Sequence, residues 1–297
     1  MWFDRPAVCT RAAAAWSAAV LLGALLVCGC ASESGSQLQV VATTTNLASL
    51  IREIGGERIA VRVLVPPGSC PGHYDMRPGD ARAVARSGLL FAHDYEQFVP
   101  RLVESAGSPQ LRTFRLEVEG NWLVPEVRAR AAGEVARALG EAEPEHREAY
   151  ERRAAEAAGR IKAIEAELRR DLDEAVPSGR FALCSDQLEP VVRWMGFEIA
   201  GTYGRPEELT PPALHRLLET GRAQKISLVV DNLQSGPHAG AGLAGDIGAA
   251  HVTLSNFPGG FPDTETWDAC LRDNVRRVIA ALGETRSKVR SDDAERG

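Results

Sequence analysis

The sequence is poor in lysine and in aromatic residues, and it has no block of one charge. Its lysines are Lys162, Lys225 and Lys288, and the rest of its 34 basic residues are arginines spread among 40 acidic ones. A formal net charge of -6 with no basic cluster gives no footprint for a nucleic-acid backbone. At 6% of the chain, aromatics are too few for a base-stacking surface or an all-β aromatic scaffold. No Gly-x-Ser-x-Gly elbow and no His-Glu-x-x-His pair occurs, so two common hydrolase signatures are missing. What remains is ordinary globular composition, 44% apolar and 25% charged. Its 297 residues leave room for two domains.

Arg5 and Arg11 precede an uncharged stretch from Ala12 to Gly29 that holds Leu21, Leu22, Leu25 and Leu26. A positive start before an apolar run reads as an export signal over residues 1–29. Its 18-residue length would also allow an uncleaved anchor. The end, Val27-Cys28-Gly29-Cys30, resembles a bacterial lipobox, with cleavage before Cys30 and lipid on its sulfur. Residues 30–37 then read as a lipidated, flexible tether. The expected location is extracytoplasmic, attached to the bacterial membrane. Cys9 and Cys28 leave with the signal and Cys30 takes the lipid, so Cys70, Cys184 and Cys270 remain, too few for a disulfide scaffold. A Cys70–Cys184 bridge stays open as one reading.

Along the mature chain, short apolar runs bounded by Gly and Pro alternate with helical segments. Strands are expected at Leu38–Thr43, Ile59–Val65 and Leu89–Ala92, with helices at Leu47–Ile54 and about Asp80–Ser87. A second series follows at Phe181–Cys184, Glu198–Tyr203, Ile226–Asp231 and His251–Leu254. Such alternation predicts parallel sheets. Between the series, Glu126–Gly140 is helical. Tyr150, Ala154, Ala157, Ile161, Ile164, Leu168 and Leu172 then mark one stripe on a helix over Glu145–Ala175. About 30 residues span roughly 45 Å, longer than one ~100-residue lobe, so the helix is expected to serve two. Thr210, Pro211 and Gly221 read as N-cap, first turn and C-terminal stop of a further helix. The last helix is expected over Thr264–Leu282, followed by a fraying polar tail at 286–297.

The fold class is therefore α/β: two lobes, each a mostly parallel sheet flanked by helices, joined by one long helix. The divisions are 38–143 for the N-terminal lobe, 144–176 for the connecting helix and 177–285 for the C-terminal lobe. Ligands of such sheets sit outside the carboxyl ends of the strands. Gly240-Ala241-Gly242-Leu243-Ala244-Gly245 matches the dinucleotide pattern GxGxxG. It starts too far beyond the strand ending at Asp231 for that role, and a Gly/Ala-rich helix packed on the sheet explains it better.

The segment Val40-Val41-Ala42-Thr43-Thr44-Thr45-Asn46-Leu47-Ala48-Ser49-Leu50, with Gly55-Gly56 and Leu64-Val65-Pro66-Pro67-Gly68, resembles the zinc- and manganese-binding lipoproteins that feed ABC importers. Trp122-Leu123-Val124-Pro125, Val230-Asp231 and the final helix match in the same order, so the likeness runs from about Leu38 to Leu282. It implies a non-enzymatic binding protein, a monomer, that captures a divalent metal ion as cargo for a membrane permease and has no organic cofactor. The family usually offers three His and one acid. Those positions fall on Gly72 beside His73, on Gly120, near Ser185 between Cys184 and Asp186, and on Asp231.

The residues present allow a substitute set. Cys70, His73 and Asp75 lie in one Gly/Pro-rich loop, while Cys184, Asp186 and Asp231 follow strands of the other lobe. Imidazole, thiolate and carboxylate together suit a borderline or soft divalent ion. Each has a plainer reading: His73 in a turn, Cys184 in the core, Asp186 as a cap, Asp75 orienting His73. His93 is a further candidate for the cleft, and Cys270 is expected in packing. A metal chelate, a small organic solute, or an adhesive or structural surface role stays open on the same fold.

Overall fold

The computed structural model describes residue 1, residues 37–176 and residues 178–296, with side chains as far as Thr285. The signal segment, the tether and Cys30 lie outside the described residues. Residues 38–297 make one compact unit.

Leu38–Ala42 forms β1, and its last three residues are buried. Thr44 caps helix α1 (Thr45–Gly55), its hydroxyl accepting from the Leu47 N–H at 3.3 Å. Gly56 ends that turn at φ 62°, where a side chain would be strained. Ile59–Val63 is β2, Pro78–Ser87 α2, Leu89–His93 β3, Val99–Ala106 α3 and Arg112–Leu116 β4. The sheet order is β2-β1-β3-β4, all parallel. Neither α3 nor β4 is evident in the sequence. β4 is an edge strand with Arg112, Thr113 and Arg115 exposed, so it lacks the apolar run of its neighbours.

The second lobe repeats the plan. β5 (Phe181–Ser185), α6 (Glu189–Trp194), β6 (Glu198–Tyr203), α7 (Pro211–Ala223), β7 (Leu228–Asn232), α8 (Ala241–Ile247) and β8 (Ala250–Leu254) follow in sequence. The order is β6-β5-β7-β8, again parallel throughout. Helix α7 begins at Pro211 after Thr210 but does not stop at Gly221. It continues to Ala223, and Gly221 instead permits close packing, since a Cβ there would meet Ile247 at 3.0 Å.

Helices α4 (Pro125–Ala142) and α5 (Arg147–Ala175) form the pair between the lobes. The stripe on α5 is divided. Tyr150 and Ala154 sit in the core of the N-terminal lobe, whereas Ile161, Leu168 and Leu172 sit in that of the C-terminal lobe. One continuous helix thus contributes to two cores, which restrains their relative motion. The last helix, α9, runs over Trp267–Arg296. The expected fraying tail continues it, because the sequence after Gly283 has neither Gly nor Pro until Gly297. Among the described residues no helix is long and apolar enough to cross a membrane.

Candidate functional site

The carboxyl ends of the two sheets face each other, and the loops beyond them meet. Neutral side chains make that junction. Asn46, just past β1, donates to the Asn256 carbonyl at 3.2 Å. Asn121, between β4 and α4, donates to the Asn256 side-chain oxygen at 2.7 Å and to the Gln187 carbonyl at 2.9 Å. Gln234 reaches the Pro67 carbonyl at 2.7 Å and the Ser255 hydroxyl at 3.0 Å, and its own oxygen accepts from the Asn256 N–H. Asn232 donates to Gln187 at 2.9 Å. The Trp267 indole closes the seam by donating to the Trp122 and Leu123 carbonyls. Apart from the Asn46 side-chain oxygen, which has no hydrogen-bond partner, these amides bond one another or nearby carbonyls, so the seam holds the lobes together through neutral groups.

The six expected metal ligands do not gather around it. Cys184 is fully buried in the C-terminal core, where burial pushes its thiol up to about 12. It is a core residue, packed among the apolar side chains of that lobe. Asp231 is also fully buried, and its carboxylate is in use. It accepts from the Tyr203 hydroxyl at 2.7 Å, from the Gly240 N–H at 2.9 Å and 3.1 Å, and lies 2.6 Å from His251 Nε2. This also explains the first glycine of the GxGxxG match. A Cβ on Gly240 would stand 2.4 Å from the Tyr203 hydroxyl and 2.6 Å from Val229, so the close approach that seals Asp231 needs glycine. Asp186 is exposed and accepts from the Gln187 N–H at 2.7 Å, at the head of a short 3-10 turn. Among the described residues Cys70, Cys184 and Cys270 are all free, which removes the Cys70–Cys184 bridge.

Two further positions have their own explanations. His93 is buried, not lining an open cleft. Its Nε2 lies 2.9 Å from the Thr44 hydroxyl, its ring packs on Tyr95 and Trp122, and burial holds its pKa down to about 3. Gly120 takes φ 105°, and a Cβ there would meet Val127 at 2.9 Å, so this backbone leaves no place for a side chain. Cys270 is buried on α9, as expected for packing, and its thiol too is pushed up to about 12 by burial.

The loop residues fare differently. Cys70 is half-buried, and His73 and Asp75 are exposed around the 3-10 turn Pro71–His73. They line a pocket of about 560 Å³ whose other wall is Arg205 and Gln234 of the C-terminal lobe. Tyr74 anchors the loop by donating to Asp80 at 2.8 Å, and Asp80 also accepts from the Arg77 N–H. Arg205 faces Cys70. Burial opposes its charge, but the Cys70 thiol and Glu207 more than offset that and raise its pKa. Arg205 and Gln234 give no signal in the sequence, because neither belongs to a motif.

Among the described residues, three His, Cys, Asp or Glu donors come within 4.8 Å of one another at Glu143, Glu145 and His146. That group lies in the turn between α4 and α5. Glu143 is engaged there by Arg58 at 3.0 Å and by the Tyr150 hydroxyl, and Arg58 immediately precedes β2, at the end of the sheet remote from the junction.

Two parallel-sheet lobes that meet at their strand ends, with a helix built into both cores, define a binding protein of the clamp type. The chain belongs to the family described as zinc-uptake complex component A, periplasmic, whose model matches residues 40–281. That family consists of substrate-binding components of metal-ion ABC transporters, which are transport proteins and not enzymes. The chain is similar to the manganese ABC transporter substrate-binding lipoprotein ScaA of Streptococcus gordonii, 23% identical over 67% of this chain and 73% of the relative. It is similar also to PsaA of Streptococcus mitis, 23% identical over 72% and 80%. In fold it resembles the crystal structure of ZnuA, with a TM-score of 0.70, 19% identity and coverage of 83% and 100%. It likewise resembles the substrate-binding protein FpvC from Pseudomonas aeruginosa in complex with Mn2+, with a TM-score of 0.71, 18% identity and coverage of 84% and 100%.

Proposed function

We propose that the chain captures a divalent metal ion of the zinc or manganese class at the opening between its lobes and presents it to a membrane permease of an ABC importer. One observation carries this reading. In a chain of the metal-uptake family, three of the accessible residues with metal-binding chemistry, Cys70, His73 and Asp75, share a pocket with Arg205 and Gln234 of the opposite lobe. Thiol, imidazole and carboxylate favour zinc over manganese, because a soft sulfur donor suits the softer ion. Relatives bearing the names of manganese-binding lipoproteins support the cargo class and also a lipid tether at Cys30. Cys184 and Asp231 take no part, for the reasons of burial and pairing given above.

Metal analysis of protein purified without chelator, beside the variants His73→Ala and Cys70→Ala, tests the site. Each variant is expected to lose at least tenfold in zinc affinity while folding normally, and affinity should fall as pH drops, because protons compete for imidazole and thiolate. Unchanged metal content in both variants would remove this pocket as the cargo site.

A further inference from the structure

We infer that the two lobes are latched to each other by neutral side chains of the junction, with Asn256 as the hub, so that the clamp is closed by its own amides and needs no ion to close it. The latch does not depend on which cargo the chain takes.

Three observations converge. The first is the hub. Asn256 lies just beyond β8 in the C-terminal lobe. Its carbonyl accepts from Asn46 at 3.2 Å and its side-chain oxygen from Asn121 at 2.7 Å, both residues of the N-terminal lobe, while its own N–H donates to Gln234 at 2.9 Å. The second is orientation. An amide free to turn over makes a poor latch, but these two are held. The Asn121 oxygen accepts from the Leu123 N–H at 2.9 Å, which leaves its nitrogen to donate to Asn256 and to the Gln187 carbonyl. The Gln234 oxygen takes the Asn256 N–H, which turns its nitrogen to Ser255 and, across the junction, to the Pro67 carbonyl at 2.7 Å. The third is charge. Where carboxylates of two lobes face each other, a cation has to cancel their repulsion before the lobes can meet. Each of these bonds instead joins a neutral donor to a neutral oxygen, so closure meets no such repulsion. Arg128 and Trp267 stiffen the same seam. The Trp267 indole is shared between the Trp122 and Leu123 carbonyls at 3.1 and 3.2 Å. The fully buried Arg128 donates to the Asn46 carbonyl at 3.0 Å and lies over the Trp267 ring at 5.8 Å, so it ties a residue of one lobe to a residue of the other. The lobe arrangement is then the same with cargo and without, and it does not report loading.

The test uses the chain without residues 1–30, whose tryptophans are Trp122, Trp194 and Trp267. Trp122 and Trp267 flank the seam, and Trp194, which donates to Glu165 of α5, serves as a constant background. Acrylamide quenching and the emission maximum therefore read whether the seam is open. Asn121→Asp keeps the side-chain shape but turns a donor into an acceptor facing the Asn256 and Gln187 oxygens. Gln234→Glu does the same opposite the Pro67 carbonyl. Chelator-treated wild type is expected to be quenched to the same extent before and after zinc is added. Each variant should be quenched at least about twofold more, with a red-shifted emission, because acceptors set against acceptors cannot bond. Far-UV circular dichroism separates an opened seam from a chain that has not folded. If Asn121→Asp does not fold, Gln234→Glu decides by itself. If chelator-treated wild type is quenched as freely as the variants and zinc then protects it, the ion closes the clamp and the inference is overturned. Wild-type quenching in the folded variants overturns it equally. If zinc does not bind at all, zinc capture falls while the variants still decide the latch.

Discussion

At the carboxyl ends of β5 and β7 the buried polar side chains are paired: Asp231 with Tyr203, Gly240 and His251, Asn232 with Gln187, and Gln234 with Ser255 and Pro67. At the matching end of β1, Thr45 and Asn46 each keep a buried side-chain oxygen without a hydrogen bond. The strand order is the same in both sheets, so topology does not cause the difference. An unpaired buried polar atom costs about 1–3 kcal/mol, so the N-terminal strand end is the less completely paired half of the junction and the C-terminal strand ends the more completely paired one.

The largest expected effect tests the fully paired half. Asp231→Ala would leave the Gly240 N–H and the His251 ring without their acceptor, and the Tyr203 hydroxyl with the Val230 carbonyl alone. Denaturant unfolding should register a loss of at least about 2 kcal/mol, since two donors are left unsatisfied at about 1–3 kcal/mol each. Zinc bound per folded molecule should not change. A loss under about 1 kcal/mol, or a specific loss of metal, would instead return Asp231 to the cargo site.

The next effect probes the other half through pH. Burial raises Glu96 to about 7, with the Thr43 hydroxyl, the His93 backbone N–H and the Arg115 charge opposing the shift, and burial lowers His93 to about 3. A carboxyl raised in the folded state keeps its proton after the unfolded chain has lost it, so Glu96 erodes stability as pH rises from about 4.5 to 7. A histidine lowered in the folded state does the reverse, adding stability as pH rises from about 3 to 6.5. The two slopes oppose each other between about 4.5 and 6.5. Glu96→Gln removes one of them, so the unfolding free energy of that variant from urea titration should climb with pH across this window by a few kcal/mol, against a nearly flat wild type. A flat profile in the variant would show that His93 is not held neutral.

The smallest effect serves as the contrast. Arg137 pairs with Glu134 at 2.8 Å and Glu141 at 2.6 Å, but all three side chains are well exposed. Arg137→Ala should cost under about 0.5 kcal/mol, and less at high salt. A larger loss would mean that helix α4 depends on its surface charges more than on its buried face.

Much of the fold is legible in the chain. The apolar runs that become β1, β3, β5 and β7 are buried strands, and the stripe from Tyr150 to Leu172 is one helix shared by two cores. The edge strand β4 was hidden by its arginines, and α7 outran Gly221 because packing on Ile247, not helix termination, uses that glycine. The candidate site was legible on one side only. Cys70, His73 and Asp75 lie in a short loop that cannot be buried whole, so their accessibility follows from local sequence. Arg205 stands far from them in the chain and meets Cys70 only because the lobes close.

By itself the sequence determined the alternation of strand and helix, the two lobes and the helix between them, because hydrophobic periodicity is a local property. The tertiary structure alone decided which strand-end side chains face the other lobe. Successive residues of a strand point to opposite faces. Asn232 therefore reaches the seam while its neighbour Asp231 turns inward to Tyr203 and His251. Cys184 likewise enters the core although it lies close to the strand end. Which of two adjacent residues serves the junction depends on pleat and register, and neither can be read from a single chain in isolation.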